Sequence, residues 1–95
     1  MSENLINTIF NFIKGKKYNE ALELLNNFSD KYQNSNLVYR LKGLIYLNKK
    51  DWKNCIFNYQ KISKKDINFE IANNIGVALY KLGKFSKASI KFRKQ

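Results

Sequence analysis

Residues 39–59 read YRLKGLIYLNKKDWKNCIFNY, and residues 72–92 read ANNIGVALYKLGKFSKASIKF. A shift of 33 residues lays one over the other and pairs Gly43 with Gly76, Tyr46 with Leu79, Trp52 with Phe85, Cys55 with Ala88 and Tyr59 with Phe92. A weaker copy lies upstream at a shift of 34, with Leu5, Ile9, Phe12, Tyr18, Ala21 and Leu25 at the same places. An aromatic, a small residue and a large apolar residue thus return together three times. Such recurrence marks a chain built from stacked supersecondary units.

Each unit reads as a pair of helices. Apolar residues recur at spacings of three and four, as in Ala21, Leu22, Leu24 and Leu25, in Leu37, Leu41, Leu44, Ile45 and Leu47, and in Ile71, Ile75, Ala78, Leu79 and Leu82. Proline is absent, and period-two runs are hard to find. Breaks at Gly15–Lys16, Asn34–Ser35, Lys49–Asp51, Asp66–Asn68 and Gly83–Lys84 predict helices over about 3–14, 17–31, 36–48, 51–63, 68–81 and 84–94. Short turns make sequential helices antiparallel neighbours. Ser35 and Asp51 are expected to cap the helices that follow them, and Asp66 to sit at a helix start.

The pattern resembles the tetratricopeptide repeat family: an aromatic, then a large apolar residue and a Gly, then Tyr, then Ala, then Phe, over about 34 residues. Ala72, Ile75–Gly76, Leu79, Gly83, Phe85, Ala88 and Phe92 match it best, and Tyr39, Lys42–Gly43, Tyr46, Trp52, Cys55 and Tyr59 follow. Lys42 departs, standing where the family usually places Leu, and Ile9 replaces the small residue of the first unit. The resemblance implies an all-α, right-handed superhelix of about six helices in one domain: an atypical repeat over 1–35, a second over 36–68 and an incomplete third over 69–95. It also implies that the first helices line a concave groove. Small residues allow paired helices to approach, so Gly43 is expected to face Cys55, and Gly76 to face Ala88. Cys55 then reads as a packing residue rather than a reactive thiol.

The composition narrows the function. The 95 residues carry 18 Lys+Arg against 7 Asp+Glu, no His and one Cys, for a net charge of +11. Without His, imidazole catalysis or ligation is excluded, and one Cys allows no internal disulfide. There is no Gly-rich phosphate loop, no paired carboxylates at helical spacing and no nucleophile–base set, so an enzyme is not expected, nor a cofactor or metal. No apolar run is long enough to span a membrane and no targeting segment stands out, so the expectation is a cytoplasmic protein. The charge invites a nucleic-acid reading, yet residues 1–36 are neutral and residues 37–95 carry all of it. Lys, Asn, Ile, Phe and Tyr also share AT-rich codons, and base composition alone produces such a profile.

The remaining question is which surface works. By repeat register the groove would hold Ile6, Phe10, Ile13, Lys14, Leu37, Arg40, Leu44, Leu47, Asn48, Asn73, Val77, Tyr80 and Lys81. An apolar concave surface suits a peptide or amphipathic helix, or a second copy of the chain as a homodimer. Lys87, Lys91 and Lys94 form a basic stripe on the last expected helix, which keeps an uncapped array soluble or offers an acidic partner or nucleic acid a contact. The expected function is therefore a protein-interaction module. Basic-face binding and the repeat arm of a larger protein are the alternatives. The family's carboxylate clamp is not matched, since Ile6 and Phe10 replace its first polar pair and Leu41 its middle Asn.

Overall fold

The computed structural model describes residues 3–32 and 35–83. The sixth expected helix, its Phe85, Ala88 and Phe92, and the stripe Lys87, Lys91 and Lys94 lie outside the described residues. The rest is all-helical. α1 spans Glu3–Lys14, α2 Tyr18–Tyr32, α3 Asn36–Lys49, α4 Trp52–Tyr59 and α5 Phe69–Lys81, with one 3₁₀ turn at Lys64–Asp66. Each helix packs on the next in sequence, and α3 also reaches α5. Among the described residues no helix is long and apolar enough to cross a membrane.

The helix starts follow from side-chain chemistry. Ser35 accepts a hydrogen bond from the Leu37 N–H, and Asp51 accepts one from the Asn54 N–H, as the sequence predicts. Asn68 does the same for the Ile71 N–H of α5. Asp66 is therefore not a cap. It belongs to the 3₁₀ turn, where its carboxylate accepts a hydrogen bond from Asn36 Nδ2 at 2.6 Å.

The helix ends repeat. Lys16 donates to Ile13 O and Lys17 to Phe12 O, while Lys50 donates to Leu47 O and Asp51 to Tyr46 O. These paired bonds form the same Schellman-type closure, with Lys16 at φ 60° and Lys50 at φ 67° as the left-handed residues just beyond the helices. Gly83, 33 residues after Lys50, repeats the positive φ at 76° and donates to Tyr80 O. The repeat in the sequence is thus also a repeat in the backbone.

α4 is shorter than the predicted 51–63. The chain tightens after Tyr59 through Lys61 N–H to Asn58 O and Ile62 N–H to Tyr59 O, which are three-residue rather than four-residue closures. This turn carries Ile62 into the core at 5% exposure.

Two apolar clusters form the core. Leu5, Ile9, Ala21, Leu25, Leu41 and Ile45 join α1, α2 and α3. Cys55, Ile56, Tyr59, Ile62, Ile71 and Ala78 join α4 and α5, with Tyr39, Tyr46 and Leu47 of α3 packed on them. α3 therefore serves both clusters, and this explains why it is apolar on more than one face. The expected contact of Gly43 with Cys55 is not what fills the glycine's space. A Cβ built at Gly43 would lie 2.5 Å from Tyr59 Cε1, so it is the Tyr59 ring that lies against the bare backbone.

Candidate functional site

α1, α3 and α5 supply the walls of an apolar cavity of about 390 Å³. Ile6 and Phe10 come from α1, Leu37, Arg40, Leu41 and Leu44 from α3, Tyr59 from the end of α4 and Glu70 from the start of α5. The spacing on α3 explains its share. Positions 37, 40, 41 and 44 fall on one face of a 3.6-residue helix. On α1, positions 6 and 10 are one turn apart and present their side chains side by side.

The rim is charged and nearly balanced. Arg40 Nη2 lies 3.9 Å from Glu70 Oε2, with both side chains about half exposed. Such a pair contributes little to stability. It leaves one cation and one anion at the mouth of the cavity for polar contacts. Tyr59 is 1% exposed and its hydroxyl accepts a hydrogen bond from Asn74 Nδ2 at 3.1 Å. Burial pushes its phenol up to about 12, against the opposing pull of the Asn74 hydrogen bond, so it stays neutral. A smaller cavity of about 190 Å³ shares Leu37 and Arg40 and runs toward Asn36, Asp66 and Asn68.

Five of the expected groove residues meet here: Ile6, Phe10, Leu37, Arg40 and Leu44. Ile13 does not line the cavity and packs instead against the first core cluster. Leu47 packs against the second. Both side chains turn to core clusters, which a single-face register does not anticipate. Asn48 is exposed and donates from Nδ2 to Leu44 O one turn back. Asn73, Val77, Tyr80 and Lys81 lie exposed on α5, outside the cavity, and Lys14 is exposed at the end of α1.

Three wall residues escaped the sequence reading. Leu41 reads as core, and is 3% exposed, yet its side also borders the cavity. Tyr59 reads as the large apolar position of its unit, and only the glycine opposite it signals how deep the ring goes. Glu70 carries a legible signal in retrospect: it is the sole acid beyond Asp66, and its place in the first turn of α5 brings it to Arg40.

Cys55 is fully buried, and burial raises its thiol to about 11, with Asp51 adding in the same direction. That is the profile of a packing residue rather than a nucleophile. Among the described residues no three His, Cys, Asp or Glu side chains group to hold a metal ion. No family model, no curated protein and no solved structure matches the chain.

Proposed function

We propose that this chain is a protein-interaction module of tetratricopeptide-repeat type, a short right-handed superhelix that holds an apolar peptide or amphipathic helix against α1, α3 and α5. The observation that carries this reading is the cavity itself. Six of its eight wall residues are apolar or aromatic, and Phe10 remains 39% exposed there. Exposed aromatic anchors beside a neutralised charge pair have the composition of a peptide-binding surface. The recurrence of the helix pair and of the left-handed turn that closes it supports the repeat reading. An apolar segment would bury Phe10, Ile6 and Leu44, with Arg40 and Glu70 orienting its polar atoms.

The experiment is a selection of binding peptides from a random helical library, followed by mapping of each peptide by amide shifts. Peptides rich in apolar residues at helical spacing should perturb α1 and the groove face of α3, and Leu44→Glu should abolish their binding. Phe10→Glu should do the same with an unchanged melting temperature. Selected peptides that map away from α1 and α3, or that ignore both substitutions, would refute the proposal. Sedimentation velocity of the free protein distinguishes a peptide from a second copy as the occupant: a dimer that Phe10→Glu dissociates assigns the groove to self-association.

A further inference from the structure

The face of α3 opposite the groove holds a second cavity, of about 360 Å³, between α2, α3 and the end of α4. Tyr39, Lys42 and Tyr46 border it from α3, and Phe57 and Lys61 from the α4 side. Its asparagines are partly engaged already: Asn58 Nδ2 donates to Asn54 O, and Asn54 Nδ2 to Asp51 Oδ2. The lysines are not matched in this way. Lys61 Nζ sits 4.3 Å from the Phe57 ring centre and 5.4 Å from that of Tyr39, so two aromatic faces hold its ammonium over the cavity. Lys42 is half-buried and, among the described residues, has no carboxylate partner.

Lys42 is the more telling of the two. Its equivalents in the chain's other units, Thr8 and Ile75, are uncharged, and it lies within the field of a like charge, Lys61. Burial and the Lys61 charge together hold its ammonium below the ordinary lysine range. A leucine there would remove both penalties. Residues that break a local packing rule without a structural return concentrate at functional sites. Two lysines and three aromatic residues border a recess that Asn26, Asn54 and Asn58 also line, a combination complementary to a ligand with a negative oxygen cluster and a flat body.

We infer that this pocket binds an oxyanion, phosphate or carboxylate, carried on an aromatic or apolar stem, with Lys42 and Lys61 taking the oxyanion and Tyr39, Tyr46 and Phe57 the stem. It is a separate site from the groove and does not rest on the groove's reading.

Phenyl phosphate, inorganic phosphate and phenol, titrated at low salt into isotope-labelled protein, test it through the lysine side-chain and aromatic signals. Phenyl phosphate should give saturable shifts at Lys42, Lys61, Phe57 and Tyr39, and should bind at least about tenfold more tightly than inorganic phosphate. Benzoate in place of phenyl phosphate reports whether carboxylate or phosphate is preferred. Lys42→Leu should abolish binding while raising the melting temperature, so that loss of binding is not loss of fold. Lys61→Gln should weaken binding about tenfold or more, and Lys42→Arg should retain it. Shifts spread evenly over all lysines, binding of phenol as tight as that of phenyl phosphate, or undiminished binding by Lys42→Leu would each overturn the proposal.

Discussion

Gly43 gives the Tyr59 ring its place: a methyl group at Gly43 would approach Cε1 to 2.5 Å and Cδ1 to 2.6 Å. Tyr59 is 1% exposed and belongs to the second core cluster, so displacing the ring disturbs that cluster's packing. Gly43→Ala is expected to destabilise the protein by roughly 1–3 kcal/mol through overpacking. The first unit suggests the remedy, since it carries Ile9 and Leu25 at the equivalent positions, both fully buried. Pairing Gly43→Ala with Tyr59→Leu should therefore cost less than the two single changes added together. Urea denaturation of the four proteins measures the coupling, and strict additivity would show that the glycine and the ring are independent.

The turn positions give a second test. Lys16, Lys50 and Gly83 occupy equivalent left-handed sites, but only Gly83 is free of a side-chain penalty there. A non-glycine residue in this region is disfavoured by about 1–2 kcal/mol, part of which a glycine's unfolded-state entropy offsets. Lys50→Gly should then stabilise by about 0.5–1 kcal/mol, and Lys16→Gly similarly. Gly83→Lys should destabilise. The thermal midpoint of each variant decides the matter, and a loss of stability in both Lys→Gly variants would remove the repeated turn as an explanation.

Much of this fold is legible in the sequence, for identifiable reasons. Apolar periodicity places the five described helices within a few residues, because each helix buries a continuous stripe. Ser35 and Asp51 are found as caps because their position before an apolar run is unambiguous. Asp66 is misplaced because a 3₁₀ turn and a helix start look alike in sequence, and Asn68 does the capping. The early end of α4 is invisible too, since the residues after Tyr59 continue the helical pattern while their N–H groups close on carbonyls three residues earlier. Of the expected groove residues, register brings Ile6, Phe10, Leu37, Arg40 and Leu44 to the cavity wall, whereas Ile13 and Leu47 go to core clusters that only the packing of neighbouring helices reveals. The exposed Phe69, at 89%, has no structural account.

Alkaline stability should report on Cys55 and Tyr59. Burial raises the thiol from 9.0 to about 11 and the phenol from 10.0 to about 12. In each case the folded state holds its proton where the unfolded state releases it. Stability is therefore independent of these groups below pH 9.0, falls through the thiol's window up to about 11, and falls again through the phenol's window up to about 12. The order of magnitude is about 2–3 kcal/mol for each group. Urea midpoints across this range should show Cys55→Ala removing the earlier part of the decline and Tyr59→Phe the later part. A wild-type profile that coincides with that of the double variant would show that neither group titrates out of register with its unfolded value. At neutral pH the same burial should keep Cys55 from reacting with thiol reagents until the chain is unfolded.

Because α3 packs on both clusters, it should set how cooperatively the described helices open. Leu41 and Ile45 insert into the first cluster, and Tyr39, Tyr46 and Leu47 pack on the second from the same helix. Ile45→Ala should cost about 2–5 kcal/mol as a buried large-to-small change. Its loss should weaken the helix that the second cluster needs, so amide protection should fall in α4 and α5 as well as in α1 and α2. Ile71→Ala, at 2% exposure in the second cluster, removes a residue that only α5 contributes. It should lower protection in α4 and α5 while α1 and α2 keep more of theirs, as expected of units coupled through neighbours. Native-state hydrogen exchange on the two variants distinguishes the cases. Equal loss of protection in all helices for Ile71→Ala would mean that the chain opens as one unit, and that α3 is not the joint between two.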